Sequence, residues 1–254
     1  MNTRSFLIWL GSLGMMILLV VLWQVAAASQ LVNPVFFPAP ARTLEALGDH
    51  LQSGDFWFAF RETLRRMAMG FITASALGVA LGALIGLSPR VRPYVEPTLE
   101  LIRPLPASAV IPVFVLLIGL NDRMIVVAIA FSALWPVLLN TVHGFKTIEP
   151  RLVEVSRILH MSRWELLRKI ALPNAMPDIF AGLRLSLTVS LILAVVAEML
   201  AGTPGLGQNI TLAARSFRSP DLYAGIVVLG AIGYLTNIIL ERAERHLLRW
   251  RGTP

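Results

Sequence analysis

Residues 154–173, with the sequence EVSRILHMSRWELLRKIALP, form a charged segment in a chain that otherwise consists of long apolar stretches. Pro150 stands shortly before this segment and suits the first position of a helix, where its missing amide proton is not needed. Arg151, Glu154 and Arg157 then recur every three residues, which places them on one face of a helix. The sequence therefore predicts a short helix with a polar face at the start of the segment.

A second helix is predicted to begin at Ser162, because Ser162 and Glu165 have the spacing of a capping box. Arg168 and Lys169 fall in its last turn, where positive charge complements the helix dipole, and Pro173 is expected to end it. The apolar side chains on one face of this helix are Trp164, Leu167 and Ile170. Two interpretations stay open: the segment lies on lipid headgroups, or it docks on a soluble partner.

The composition of the whole chain is that of an integral membrane protein. Hydrophobic residues make up 56% of the 254 residues and charged residues only 15%, against roughly 25% charged residues in soluble proteins. We attribute the net charge of +7 to cytoplasmic loops rather than to nucleic-acid binding, since no basic stripe interleaved with aromatic residues occurs. The absence of cysteine excludes disulfides, thiolate metal ligands and a cysteine nucleophile.

Nucleotide, metal and catalytic sites are not expected in this chain. A phosphate-binding loop needs glycines ahead of a lysine, but the two lysines, Lys146 and Lys169, follow Phe145 and Arg168. The four histidines are scattered without the spacing of metal ligands; they are His50, His143, His160 and His246. We therefore predict a protein that is not an enzyme and that holds no cofactor or metal of its own.

Six apolar stretches are each close to the ~20 residues that a helix needs to cross a bilayer. They lie near residues 6–28, 59–87, 95–120, 124–142, 175–200 and 222–240. The first stretch resembles a secretory signal, but its apolar run exceeds the ~7–15 residues of a signal core. We therefore expect it to be retained as a membrane helix.

The distribution of lysine and arginine predicts the orientation of the chain. With the N-terminus in the cytoplasm, the inner loops hold about twice as many of these residues as the outer loops, as the positive-inside rule requires. This orientation places the segment 154–173 in the cytoplasm. Arg61, Arg65 and Arg66 run against the rule at an outer helix end, where they would form an interfacial ring or meet an anionic partner.

Small residues form a ridge along the second apolar stretch, at every fourth position. They are Gly70, Ala74, Gly78, Gly82 and Gly86. Small side chains at this spacing let helix backbones approach closely in lipid. We favour packing within the chain, with a seam between two copies as the alternative, and take Gly78, Gly82 and Gly86 as the candidate helix-packing residues.

The third apolar stretch contains three prolines, Pro104, Pro106 and Pro112. Carbonyl groups that prolines leave free at membrane depth are tolerated only where protein or water satisfies them. The stretch therefore either lies on a translocation pathway or is simply kinked.

Two charges, Arg184 and Glu198, lie within the fifth apolar stretch. Each costs about 2.5–3.5 kcal/mol at a helix centre, so neither is expected to face lipid. They are about 21 Å apart along a helix and cannot pair with each other. Each needs another partner, and each is either structural or part of a gate or pathway lining.

The charged segment resembles the EAA loop of ABC importer permeases, where a Glu-Ala-Ala triplet precedes a glycine and a terminal Ile-x-Leu-Pro. The matching positions are Glu154, Val155 and Ser156 at the triplet, His160 in place of the glycine, and Ile170, Leu172 and Pro173 at the end. Further motifs follow the order seen in the nitrate/sulfonate/taurine permease family: FPAP at 37–40, GLSP at 86–89, RPLP at 103–106, NT at 140–141, GLR at 182–184, AEM at 197–199 and GLG at 205–207. The resemblance covers most of residues 37–250.

This resemblance implies an all-α, multi-pass protein of the bacterial inner membrane, with about six transmembrane helices and the type I ABC importer fold. Residues 1–57 would hold the first helix and a periplasmic connector, 58–245 the transport domain with the coupling loop 144–173, and 246–254 a cytoplasmic tail. The implied partners are a second copy of the chain, two ATPase subunits that bind ATP and Mg²⁺, and a periplasmic substrate-binding protein. The outer loop 201–221 would help to receive that binding protein, or is a plain connector.

The resemblance also implies a coupling role for the charged segment. The candidate ATPase-coupling residues are Glu154, Ser156, His160, Trp164, Leu167, Leu172 and Pro173. Glu154 would be the polar anchor, and Trp164 and Leu167 the apolar contacts. The implied activity is uptake, by alternating access, of a small anionic solute of the nitrate, sulfonate, taurine or bicarbonate type. A self-sufficient secondary transporter or channel is the alternative.

Overall fold

The protein is built from helices. The computed structural model describes residues 3–29, 33, 35–88, 90–102 and 105–251, and no strand occurs within these ranges. The helices of the first part are α1 (Thr3–Ala28), α2 (Pro40–Gln52), α3 (Gly54–Gly86), α4 (Arg92–Ile102), α5 (Ile111–Ile118) and α6 (Asp122–Lys146). Those of the second part are α7 (Pro150–Ile158), α8 (Arg163–Leu166), α9 (Leu172–Ala201), α10 (Leu206–Arg215) and α11 (Ser219–Leu247). The all-α prediction is confirmed.

Five helices in the described ranges are long and apolar enough to cross a membrane. They are α1 from Leu10 onward, α3, α6, the continuous helix Arg163–Ala201, and α11. These five correspond to the predicted apolar stretches other than the third.

The third predicted stretch, 95–120, is not one helix, so that prediction is wrong. α4 ends at Ile102, and α5 begins only after a 3-10 turn. Pro106 precedes that turn and Pro112 lies at the start of α5, while Pro104 lies outside the described residues. A proline donates no backbone hydrogen bond and its ring clashes with the preceding helical turn, so it can begin a helix but rarely continue one. The stretch is therefore divided into two short helices.

The centre of the fold is formed by α3, α6 and α9, which pack against one another. The small-residue ridge of α3 lies against α6. A Cβ atom added to Gly78 would lie 2.8 Å from Cβ of Val137, and one added to Gly82 would lie 2.6 Å from Cβ of Thr141. The ridge therefore permits a close approach of two helices within one chain.

A second packing group joins α1 and α2 to α11. Trp23 Nε1 donates to the carbonyl of Pro38 at 3.0 Å, and the Trp23 ring lies 5.9 Å from that of Tyr223. His50 Nε2 on α2 lies 3.2 Å from Asp221 Oδ1 on α11. Large apolar side chains of α1 are exposed, as expected for a helix that faces lipid.

The part of the charged segment that begins at Arg163 leads without a break into α9. α8 is followed by one π-helical turn, Leu167–Ala171, and α9 begins at Leu172. The prediction that Pro173 ends this helix is therefore wrong. The amide of Leu172 donates to the carbonyl of Leu167, five residues back, and Pro173 follows in the first turn of α9. A proline is tolerated there because it has no amide hydrogen to donate and the widened turn precedes it.

Candidate functional site

α8 begins with the predicted capping box. The Ser162 hydroxyl accepts a hydrogen bond from the Glu165 amide at 3.2 Å, and the Glu165 carboxylate accepts one from the Ser162 amide at 3.0 Å. Lys169 donates to the same carboxylate at 3.1 Å. Glu165 lies in the charged segment, outside the apolar part of the helix. There the Ser162 amide, followed by Lys169, lowers the pKa of its carboxyl to about 2, so the cap is ionised at neutral pH.

The turn between α7 and α8 contains a residue in the left-handed conformation. His160 has a φ of 53°, and its amide donates to the carbonyl of Arg157 at 3.1 Å. The amide of Met161 donates to the carbonyl of Ser156 at 2.9 Å. These two bonds form a Schellman motif, whose left-handed position is usually glycine. His160 thus adopts the backbone conformation that favours glycine.

The candidate coupling residues lie in different environments. Glu154 and Trp164 are exposed, whereas Ser156 is buried and its hydroxyl donates to a carbonyl of α7. Leu167 packs against an interior cluster that contains Phe145. Of the two expected apolar contacts, Trp164 is therefore available to a partner, while Leu167 faces the interior.

An exposed apolar face lies on α7 and is not among the sequence predictions. Val155, Ile158 and Leu159 are 47%, 75% and 66% exposed. Their spacing of three and four residues places them on one side of the helix. That spacing was a readable signal in the sequence, because it is the same periodicity that revealed the polar face with Glu154. We call these three residues the α7 apolar face.

Arg66 of α3 and Glu198 of α9 form a buried ion pair. Arg66 Nη1 lies 2.8 Å from Glu198 Oε1 and also donates to the carbonyl of Pro204 at 2.7 Å. The Nε and Nη2 atoms of Arg66 donate to Asp122 Oδ1, at the start of α6, at 3.1 and 2.8 Å. One guanidinium therefore connects the three central helices and the loop after α9.

Glu198 also caps the N-terminus of α10. Its Oε2 atom accepts from the amide of Gly207 at 3.1 Å, and the Thr63 hydroxyl accepts from the amide of Leu206 at 2.9 Å. The first amides of a helix lack partners within the helix, and a helix N-terminus favours negative charge. A Cβ atom added to Gly205 would lie 2.3 Å from Glu198 Oε2, so the carboxylate requires a glycine there.

Acidic residues of the same chain surround the three arginines that run against the positive-inside rule. Arg66 meets Glu198 and Asp122, as described above. Arg65 pairs with Glu62 at 2.8 Å and also contacts Asp122. Arg61 lies 3.8 Å from Glu62 and is largely exposed. The anionic groups that Arg65 and Arg66 contact therefore belong to the same chain.

The two charges predicted within the fifth stretch have separate partners. Arg184 pairs with Glu244 of α11, and Glu198 pairs with Arg66. The prediction that each charge needs a partner other than its companion is confirmed. The Arg184 pair is partly exposed, whereas the Glu198 pair is buried.

A cleft of about 580 Å³ lies between α4, α6 and α9. Its wall includes Leu105, which precedes Pro106, and Val110, the last residue of the 3-10 turn. Its lining also includes Phe131, Trp135, Asn140, His143 and Leu185. At one end Lys146 Nζ lies 3.0 Å from Glu96 Oε1. The break in the third stretch thus borders an open space on one side, while Ile111 after the turn is buried in the core.

Comparison with known proteins gives one consistent family. The chain matches the family described as binding-protein-dependent transport system inner membrane component over residues 74–252. It is 31% identical to the putative aliphatic sulfonates transport permease protein SsuC of Bacillus subtilis (strain 168), with 96% of this chain and 89% of the relative covered. It is 30% identical to the taurine transport system permease protein TauC of Escherichia coli (strain K12), with 95% and 90% covered. It is also 30% identical to the bicarbonate transport system permease protein CmpB of Synechococcus elongatus, with 94% and 88% covered.

Solved structures share the fold. An inward-facing structure of the MetNI methionine ABC transporter matches with a TM-score of 0.64 and 18% identity, over 79% of this chain and all of that chain. An amino acid ABC transporter with histidines matches with a TM-score of 0.59 and 18% identity, over 77% and 93%. The chain therefore belongs to the family of binding-protein-dependent transport system inner membrane components, as a permease component of an ABC importer and not as an enzyme.

Proposed function

We propose that this permease works as a pair of copies with two ATPase subunits and a periplasmic binding protein, and that its charged segment receives the ATPase. The α7 apolar face is the observation that carries this proposal. Contiguous exposed apolar side chains mark interaction sites, and this face lies on α7, which a short turn joins to the helix that runs from α8 into α9.

Charge beside the α7 apolar face favours a protein partner. Glu154 is exposed and has no side-chain partner among the described residues, so its carboxylate is available to a basic residue of the ATPase. Apolar contacts surrounded by polar groups are the usual anatomy of a protein–protein interface. In this proposal Glu154 is the polar anchor, and Val155, Ile158 and Leu159 supply the apolar contacts.

The short turn between α7 and α8, and the continuity of α8 with α9, suggest how movement is transmitted. The π-helical turn packs through Leu167 and Ala171 against Phe145 of α6, and the far end of α9 carries Glu198, which caps α10. Movement of α7 as the ATPase subunits bind ATP would therefore shift α9 against α6 and reach the opposite end of the bundle. We propose that this shift drives alternating access.

The class of solute and the orientation are inferred from different evidence. Relatives named for sulfonates, taurine and bicarbonate support a small anionic solute. The distribution of lysine and arginine supports a cytoplasmic N-terminus and a cytoplasmic charged segment. The outer loop with α10 would then face the binding protein.

Copurification tests the docking proposal. An affinity-tagged chain is coexpressed with its ATPase subunit, and the retained ATPase is measured. Ile158→Glu is expected to lose most of the ATPase, because it places a charge in the centre of the α7 apolar face, and Glu154→Lys is expected to weaken retention. Leu247→Glu, at an exposed apolar position near the end of α11, is the matched control. Wild-type retention by Ile158→Glu would contradict docking on α7.

A further inference from the structure

We propose that a cleft between the α3–α4 turn and α8 binds the headgroup of an anionic phospholipid. The cleft has a volume of about 960 Å³, within the usual range of ligand pockets. It is bordered by Leu87, the residue that caps α3, and by the first turn of α8. Because α3 is long and apolar enough to cross a membrane, the cleft lies where a membrane-spanning helix ends.

Two arginines without partners give the cleft a positive charge. Arg90 lines it from the α3–α4 turn and Arg163 lines it from α8. Neither side chain has an ion pair or a hydrogen bond within the part of the chain that the structure describes. The carboxylates of Glu96 and Glu165, which lie close by in sequence, are each bonded to a lysine. The positive charge of the cleft is therefore not neutralised by these acids.

The other walls of the cleft are apolar, which selects a lipid over a free anion. Leu87, Val91 and Leu167 line it, and Trp164, which is 66% exposed, also borders it. Tryptophan is enriched at the membrane–water interface, and basic pockets between membrane helices bind acidic lipid headgroups. A phosphodiester would accept hydrogen bonds from both guanidinium groups, while the acyl chains cover the apolar surface at the end of α3.

Lipid binding at this position is compatible with ATPase docking. The α7 apolar face does not line the cleft, so each ligand has its own surface. Trp164 then contacts the lipid rather than the ATPase. A lipid held between the end of α3 and the first turn of α8 would fix the position of the joint that leads into α9.

The proposal is tested by measuring lipid binding to the full chain, purified in detergent, with intact-complex mass spectrometry. Phosphatidylglycerol is expected to bind, and Arg90→Gln combined with Arg163→Gln should weaken it about tenfold or more. Arg151→Gln combined with Arg168→Gln is the control, since these arginines belong to the same charged region, are exposed and do not line the cleft. The control should bind as the wild type does.

Further binding measurements distinguish an anionic phospholipid from other ligands of the cleft. Phosphatidylcholine should bind much more weakly than phosphatidylglycerol, and inorganic phosphate should not displace the lipid. Arg90→Lys combined with Arg163→Lys keeps the positive charge and should keep most of the lipid binding. This variant replaces the glutamine variant in the comparison if the glutamine variant folds poorly. Equal binding of the two lipids, equal loss of lipid binding in the control pair, or displacement of the lipid by phosphate would each overturn the proposal. A glutamine variant at residues 90 and 163 that keeps the lipid but loses ATPase retention would also overturn it.

Discussion

Arg66 of α3 and Glu198 of α9 lie 2.8 Å apart as a buried ion pair, with exposures of 3% and 0%. Removal of Glu198 would leave the buried Arg66 with the more exposed Asp122 and Glu62 as its remaining acids, whereas an intact buried pair contributes little net stability. The main effect of the pair is therefore to fix the relative positions of the elements that it connects. Through Asp122 and the carbonyl of Pro204, it sets the start of α6 and the loop before α10 relative to α3 and α9.

Loss of the carboxylate of Glu198 is expected to destabilise the protein strongly. Glu198→Ala should lower the free energy of unfolding by about 3–5 kcal/mol, because Arg66 stays buried and the Gly207 amide loses its acceptor. Thermal unfolding of the purified chain in detergent measures the loss. Arg65→Ala is the control and should cost about 1 kcal/mol or less, since Arg65 is 40% exposed.

A milder substitution separates a role of Glu198 in transport from its role in stability. Glu198→Gln keeps a hydrogen-bond acceptor but removes the charge. If the folded fraction falls while uptake per folded molecule is normal, the role is structural. If uptake per folded molecule falls at full yield, Glu198 takes part in gating. An apolar pair, Arg66→Met with Glu198→Leu, should recover part of the lost stability, and no recovery would contradict the buried-charge explanation.

Gly205 is expected to be intolerant of any side chain. In Gly205→Ala the new Cβ would meet the Glu198 carboxylate at 2.3 Å, so either the cap of α10 or the ion pair must break. We expect a loss comparable to that of Glu198→Ala. Gly48→Ala in α2 is the matched control, because no atom lies within 4 Å of its Cβ position and alanine favours a helix. Equal effects of the two substitutions would contradict the described cap.

The contact between α3 and α6 gives a further prediction. Gly82→Ala would place Cβ 2.6 Å from Cβ of Thr141 and 2.9 Å from the carbonyl of Leu138, so the helices must move apart. Overpacking of this kind typically costs about 1–3 kcal/mol. Gly230→Ala in α11, where the added Cβ meets nothing within 4 Å, should cost little. Thermal unfolding in detergent distinguishes the two variants.

The features that the sequence predicts well are those with a local cause. The capping box of Ser162 and Glu165 depends on residues three positions apart, and the ridge on α3 depends on a repeat of four. Arg66 and Glu198, in contrast, lie 132 positions apart, and nothing in either neighbourhood indicates their pairing. The π-helical turn before Pro173 packs against Phe145 of α6, a contact that a local pattern does not reveal.

Hydropathy misjudged the third stretch for a different reason. An average over 95–120 is apolar enough for a span, but it does not register that Pro106 and Pro112 limit where a helix can continue. Leu167 packs against Phe145 inside the chain, and an apolar stripe alone does not distinguish such a contact from one with a partner. The α7 apolar face, by contrast, was readable from its spacing.

Two helix ends carry a bulky residue where glycine would be unstrained. His160 after α7 and Phe217 after α10 both have φ 53°, and Phe217 is 65% exposed. The left-handed conformation costs a non-glycine residue roughly 1 kcal/mol or more, partly offset by the greater flexibility of glycine in the unfolded chain. His160→Gly is expected to raise stability by up to about 1 kcal/mol, whereas in Phe217→Gly the loss of the edge-to-face contact with Phe36 should offset the gain.

A second substitution separates the effect of the His160 ring on stability from the effect of its backbone conformation. His160→Ala removes the ring and keeps the strain, so it should not gain stability. Thermal unfolding compares the variants, and coupled ATP hydrolysis reports whether the ring contributes to docking. A gain in His160→Ala equal to that in His160→Gly would show that strain is not the cause.

ATP dependence of uptake is the most direct test of the central claim that this permease is driven by separate ATPase subunits through its charged segment. The chain is reconstituted in vesicles with its ATPase subunits and binding protein, and uptake of a radiolabelled sulfonate or taurine is measured with and without ATP. We predict uptake only with ATP and the complete assembly, and loss of that uptake in Ile158→Glu. Uptake by the chain alone in vesicles without ATP would contradict the claim and identify a secondary transporter.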